Sequence, residues 1–328
     1  MNKLASYVFS RIPHLEIGVR VAYWRSERIH KYLQKFKQSP SSSKNRVLSG
    51  DVSQRKSVIT LGDLEKEIRS HSIKEGDILI VHSSMQRLSC TGASPSEIIK
   101  LLLRIVGDTG TLVMPAIPKY KEAEVVASGI ARVTADVSSE VWTYDVKKTP
   151  PWTGILPLKL MNTEGARRGR HPLNTVVAKG YHVNEMFGKE LQTPMSTPCG
   201  PDSPWAYCAE HNAKVLALGV DLAHSLTMIH VAEDCYESTW PIKNWYRHRS
   251  FQVIDDDKQE TVVVRERHPK WAMHYCERKL DYDLERNNVS RKTMIGDIDI
   301  TSVDSKNLLN YLNGKKRTGY PYYLSWIQ

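Results

Sequence analysis

Asp77-Ile-Leu-Ile-Val-His82, then Ser94-Pro-Ser-Glu97 leading into an apolar run that closes at Val106, then Thr111-Leu-Val-Met-Pro115: this stretch decides the fold. The two short apolar segments read as strands buried on both faces, and Ser94 with Glu97 three residues on is a helix-capping signature between them. Asp108-Thr-Gly110 supplies turn chemistry before the second strand. A strand, a helix and a strand in that order form a β-α-β unit, for which a parallel sheet is the natural solution. Upstream, Thr60-Leu-Gly-Asp opens a second capped helix that should run to about Ser70. Downstream, Thr175–Ala178 and Lys214–Gly219 read as further short strands, and Val231 to Trp240 as a helix start or an irregular segment. Phe251–Ile254 and Thr261–Arg265 flank the acidic Asp255–Gln259, which predicts an antiparallel hairpin. The expected architecture is α/β: a central, mostly parallel sheet flanked by helices, with an added antiparallel hairpin and an N-terminal helical extension.

At 328 residues, 41% of them hydrophobic and 25% charged, the chain has ordinary globular composition. Collagen-like, mucin-like and disulfide-miniprotein classes are excluded. No apolar run approaches the ~20 residues that cross a bilayer. The segment from Met1 to Trp24 is interrupted by Arg11, Pro13, His14, Glu16 and Arg20, which argues against a signal peptide or a spanning helix. Five widely spaced cysteines without a CxxC predict a reducing, cytoplasmic compartment and no metal site. The net charge of +10 is unevenly placed: residues 1–50 hold ten Lys and Arg against Glu16 and Glu27, leaving +2 for the rest. A polar, serine-rich linker at 38–46 separates this arm from the body, so residues 1–56 read as a basic extension and 57–328 as the functional domain. Apolar positions from Leu4 to Phe36 predict two amphipathic helices broken at Pro13. Such an arm either lies on an anionic membrane surface through residues 1–46, peripheral to its inner face, or packs on the body or a second subunit. Its aromatics are followed by no recognised nucleic-acid reading motif, so no nucleic acid is expected.

Four segments carry candidate chemistry. Val81-His-Ser-Ser84 closes a strand before a helix N-terminus, where an α/β sheet binds ligands or where hydroxyls simply cap a turn. Arg167-Arg-Gly-Arg-His171 suits a phosphate or carboxylate, or forms a solvated turn. Thr197-Pro-Cys-Gly-Pro-Asp-Ser-Pro204 is an ordered loop. In Thr227-Met-Ile-His230-Val-Ala-Glu233-Asp234 helical spacing puts His230 and Glu233 on one face, where a carboxylate can orient an imidazole base or form a structural pair.

Taken in order with Lys148–Pro157, these segments resemble the aminoglycoside N3-acetyltransferase family, the antibiotic N-acetyltransferases, over about Thr60 to Val303. The resemblance implies an enzyme with acetyl-CoA bound along His82, Ser83 and Ser84 and near Thr149 to Gly154. It implies that His230 acts as, or supports, the base for the acceptor amine with Glu233 beside it, and places His171 at another characteristic histidine. A homo-oligomer is the expected assembly. Two features depart from the family pattern: Leu226-Thr227 stands where the family usually has Asn-Thr, and the long N-terminal extension has no counterpart. Direct transfer in a ternary complex is the simplest mechanism, because neither Cys90 nor Cys199 has a histidine within its motif. The near-neutral body and the arginine cluster favour an anionic or neutral acceptor, such as a nucleotide sugar or a surface-polysaccharide precursor, over a polycation. Aminoglycoside acetylation conferring antibiotic resistance is the alternative, and a non-catalytic binding protein on a transferase fold is the second. A formyl or longer acyl donor stays open.

Overall fold

The computed structural model describes residues 3–26, 59–121 and 136–323. Its strands are β1 (Ile78–Ser83), β2 (Thr111–Pro115), β3 (Val141–Asp145), β4 (Arg167–Arg168), β5 (Val176–Gly180), β6 (Lys214–Leu218), β7 (Tyr246–Asp255), β8 (Lys258–Arg267), β9 (Ser290–Ile295) and β10 (Ile298–Asp304). Seven form one sheet in the order β4-β5-β2-β1-β6-β10-β9, and β3-β7-β8 form a smaller one. β1 runs parallel to β2 and to β6, with Ile78 opposite Thr111 and Leu79 opposite Lys214. β5 and β10 join the outer edges of this trio antiparallel, so the parallel character belongs to the centre of the sheet and the margins are mixed.

The β-α-β unit forms as its sequence directs. The helix Pro95–Val106 starts in a capping box, in which Ser94 Oγ accepts the Glu97 amide at 3.3 Å and Glu97 Oε2 accepts the Ser94 amide at 2.8 Å. Such a cap stabilises a helix by about 1 kcal/mol. Gly110 lets the helix end fold tightly back onto the sheet: a Cβ there would lie 2.3 Å from Val106 O and 2.7 Å from Asp77 O. Alternate β1 side chains then feed two cores. Ile78 and Ile80 join Val113, Val215 and Trp205 on one face, and Leu79 and Val81 join Leu112, Leu216 and the helix Pro95–Val106 on the other. Burial on both faces explains why these strands read as continuous apolar runs.

The smaller sheet is the anticipated hairpin, extended. β7 and β8 close through an acidic turn with Asp256 at φ 54°, and β7 begins at Tyr246, well before Phe251. β3 lies parallel to β7 and was not anticipated. Its Trp142 and Tyr144 point inward onto Phe251, Val253 and Tyr120, while Val141 is exposed.

The arm is helical at Lys3–Arg11 and Pro13–Arg25, with the break at Pro13. It lies against the body: the first helix meets the helix Glu277–Arg286, and the second meets the 3-10 turn Pro269–His274. Arg20, paired within its own helix with Glu16 at 3.1 Å, ties it down through Glu277 at 2.8 Å and Ala272 O at 3.4 Å. The packed reading therefore holds for residues 3–26, although Tyr7, Ile12, Leu15 and Val19 stay exposed. The expected continuation through Ile29, Leu33 and Phe36, and the serine-rich linker, lie outside the described residues. Among the described residues no helix is long and apolar enough to cross a membrane.

Candidate active site

Beyond the carboxyl end of β6 the chain passes through Gly219 and the turn Leu222–Ser225 into the short helix Ile229–Asp234. This is the end of a parallel array at which α/β sheets bind ligands. Ile229, Val231 and Ala232 bury into the sheet core and so fix the helix, which turns His230 toward a cavity of about 530 Å³. That volume suits a small molecule. Glu233 and Asp234 share the wall with His230. Tyr120 follows β2, Trp142 comes from β3, and Arg247, Arg249, Glu266 and Arg267 come from the hairpin. Trp24 of the arm also reaches it.

His230 Nδ1 lies 3.0 Å from Glu233 Oε2. With its proton on Nδ1, held by the carboxylate, the imidazole leaves Nε2 as the acceptor. Arg267 Nη1 stands nearly equidistant from the two ring nitrogens, at 3.3 and 3.5 Å, and donates to Tyr322 Oη. Burial lowers the His230 pKa, opposed by Glu233 and reinforced by the Arg267 charge, so the ring is neutral near pH 7. Burial alone would raise the Glu233 pKa, but His230, charged in the acid range where the carboxyl titrates and hydrogen-bonded to it, and Arg267 outweigh it and hold the carboxyl below its usual range. The result is a neutral, oriented base beside a fixed carboxylate. Its neighbour Asp234 accepts from the Cys199 amide at 2.9 Å and Tyr246 Oη at 2.8 Å, and burial beside Glu233 pushes it up to about 7.

The arginine cluster proves structural. Arg168 is buried and donates to the carbonyls of Ala116, Val146 and Thr149, with Nη2 2.6 Å from Ala116 O. Arg170 pairs with Asp255 and Glu260, and Arg167 lies over the Phe187 ring at 5.3 Å. Gly169 is needed among them, since a Cβ would fall 2.5 Å from both Glu190 Oε1 and Thr175 Oγ1. The expectation of a phosphate or carboxylate site at 167–170 is thus corrected: these guanidiniums already hold carbonyls, acids and a ring. His171, preceding Pro172 of the cavity wall in the chain, is buried, accepts the Leu173 amide on Nδ1 at 3.1 Å, and is pushed down to about 4 by burial.

His82, Ser83, Ser84, Thr149 and Gly154 do not line this cavity. His82 is buried at the end of β1 and pushed down to about 4 by burial, with Nε2 unpartnered among the described residues. Ser84 caps the turn Met85–Leu88 by accepting the Arg87 amide at 3.4 Å. Thr149 Oγ1 accepts the Asp145 amide at 2.9 Å, and Gly154, at φ 118°, precedes the helix Ile155–Met161. Cys199 is buried, and burial beside Asp234 raises its thiol pKa far above the ordinary value, a poor setting for a nucleophile. Among the described residues no group of three His, Cys, Asp or Glu could hold a metal ion.

Reading the sequence alone missed Arg249, Arg267 and Trp142. Arg249 is buried and stacked on Trp142, its guanidinium carbon 4.0 Å from the ring centroid, with Nη1 3.4 Å from Glu266 Oε2. Its Nε and Nη2 are buried without a partner among the described residues. A buried donor left unpaired costs about 1–3 kcal/mol.

Comparison with known proteins follows the same lines. The family model Antibiotic_NAT, aminoglycoside 3-N-acetyltransferase, matches residues 80–314. Aminoglycoside N(3)-acetyltransferase IX of Micromonospora chalcea is 28% identical over 179 residues, which is 53% of this chain and 62% of that one. Aminoglycoside N(3)-acetyltransferase VIII of Streptomyces fradiae is 30% identical over 182 residues, 53% of this chain and 60% of that one. The chain thus spans about three-fifths of the length of these curated relatives. The solved structure of aminoglycoside acetyltransferase AAC(3)-Xa superposes with a TM-score of 0.63 at 19% identity, over 79% of this chain and 93% of that one. AAC-IIIb, solved as a binary complex with CoASH, gives 0.61 at 21% identity, over 78% and 95%. These two share the fold.

Proposed function

This chain belongs to the aminoglycoside 3-N-acetyltransferase family, and on that premise we propose that it transfers an acetyl group from acetyl-CoA to the amino group of an amino sugar. The observation that carries this reading is the His230–Glu233 pair, 3.0 Å apart in the wall of the cavity. The acceptor nitrogen attacks the thioester carbonyl while His230 Nε2 takes its proton, and Glu233 stabilises the imidazolium. The carbon–sulfur bond then breaks, and CoA leaves as a thiolate that the imidazolium reprotonates. No covalent enzyme intermediate is required, in keeping with the buried, protonated Cys199.

Support for the donor is the fold shared with a protein solved with CoASH. Its binding is assigned to the β1 end at His82, Ser83 and Ser84 and to the Thr149–Gly154 loop, with His171 a buried residue next to Pro172 in the chain. For the acceptor, the relatives' names favour the aminoglycoside class of amino sugars over a nucleotide sugar or a polysaccharide precursor. The test is mass spectrometry of amino sugars and aminoglycosides incubated with acetyl-CoA, run on wild type and His230→Ala. Loss of a positioned base lowers turnover by about a hundredfold or more, whereas the CoA-induced rise in Tm should persist. Near-normal turnover in the variant removes His230 from the mechanism.

A further inference from the structure

A cationic amino sugar is held either by a surplus of negative charge or by aromatic faces. Among the described residues the cavity wall carries three carboxylates, of Glu233, Asp234 and Glu266, against three guanidiniums, of Arg247, Arg249 and Arg267, so negative charge is not in surplus. Aromatic rings are better supplied: Trp24, Tyr120, Trp142 and Trp152 all line the cavity. Two of them are already used within the fold. Arg249 stacks on Trp142, and Tyr120 packs against Trp142 and Phe251 with centroids 5.3 and 5.4 Å apart. Trp152 is 63% exposed, although the backbone around it is fixed. Its amide donates to Ile117 O at 2.9 Å, Thr153 Oγ1 donates to Pro115 O at 2.6 Å, and Pro151 bridges to Pro118. A large ring left in water on a fixed support is a surface that a ligand gains by covering.

Trp24, half-buried, comes from the arm. It lies one turn beyond Arg20, whose pair with Glu277 at 2.8 Å pins that face of the helix to the body. Arg20 itself enters a second cavity of about 200 Å³, which shares His230, Arg267 and Ala272 with the larger one. The arm thus borders both cavities that meet at His230.

Resting on the acetyltransferase reading above, we propose that Trp24 and Trp152 are specificity-determining residues for a polycationic amino sugar, whose ring and protonated amines lie against their indole faces while the amine to be acetylated meets His230. An indole attracts a cation without adding a charge of its own, so the balance of acids and guanidiniums in the wall is left undisturbed. The arm is then part of the acceptor site.

The experiment measures kcat and KM at saturating acetyl-CoA for neamine, a polyamine aminoglycoside, and for glucosamine, which keeps no cation once its single amine is deprotonated for attack. Trp152→Leu and Trp24→Leu should each raise the neamine KM by about threefold to thirtyfold, the range of a cation over an indole. The glucosamine KM should rise less, kcat should hold, and Trp152→Tyr and Trp24→Tyr should recover most of the loss. An unchanged neamine KM in either folded leucine variant overturns the proposal. Equal rises for the two sugars trace the effect to packing and overturn it too, as does a rise confined to the acetyl-CoA KM, which gives the ring to the donor. All three results leave the transferase reading intact, whereas acetylation of neither sugar by the wild type overturns that reading and the proposal with it. Should Trp24→Leu fail to fold, the exposed Trp152 decides alone.

Discussion

On the proposed mechanism, Arg267 sets the acid side of the pH profile without needing to touch the substrate. Its charge, 3.3 Å from His230 Nδ1, opposes protonation of the ring, and burial acts in the same direction. Because the base must be neutral, kcat/KM should rise with pH through the His230 pKa, which lies below the ordinary 6.5, and level off above it. Arg267→Met removes a like charge, so the folded pKa rises and the acid limb of the profile moves to higher pH. Glu233→Gln removes the opposing carboxylate and moves the limb the other way. Profiles of the two variants between about pH 5 and 8 check both signs, and coincident limbs would show that neither charge acts on the ring. Of these groups, His230 and Glu233 were legible in the sequence because helical spacing alone brings positions three apart together. Arg267 was not, since its partner His230 is 37 residues away and only the hairpin brings them together.

At the level of elements, capping boxes and apolar runs placed the β-α-β unit, because those signals are local and sit in the residues themselves. β3 escaped notice: in Val141–Asp145 only Trp142 and Tyr144 face inward, too short an alternation to stand out. The hairpin was read from Phe251 onward, which cut off Arg247-His-Arg249, although that alternate spacing puts both arginines on one face of the strand. This wall of the cavity was hidden for that reason. The arm was legible as two helices, but its destination was not, because an amphipathic face does not name its partner. Deleting residues 1–26 takes Trp24 from the cavity wall and Arg20 from Glu277. The truncated protein should show a lower Tm and a several-fold lower acceptor kcat/KM, in the range of ordinary contact losses. Full-length protein should not sediment with anionic vesicles. Salt-sensitive sedimentation, with activity and Tm unchanged on truncation, would return the arm to the membrane.

The whole molecule buries ionisable groups of both kinds, and their pH effects run in opposite directions. His82 and His171 fall from 6.5 to about 4 on folding, so the stability they allow is present above the unfolded value and is lost as pH falls toward 4. Glu190 rises from 4.5 to about 7, so its contribution is present below 4.5 and is lost as pH rises to 7. Glu190→Gln keeps an acceptor for the Arg170 amide while removing the buried charge. It should stabilise the protein by up to about 3 kcal/mol at pH 8 and by nothing below about pH 4.5. Denaturant melts at the two pH values check this, and an equal shift at both would trace the effect to packing instead of charge. The docking of the arm has a consequence in time as well. Arg20 leaves the ribosome long before Glu277 exists, and at roughly 5–20 residues per second the arm waits on the order of ten to fifty seconds for its seat. Through that interval the faces carrying Ile17 and Trp24 travel uncovered on the nascent chain, and whatever shields them then is part of how the active cavity gets made.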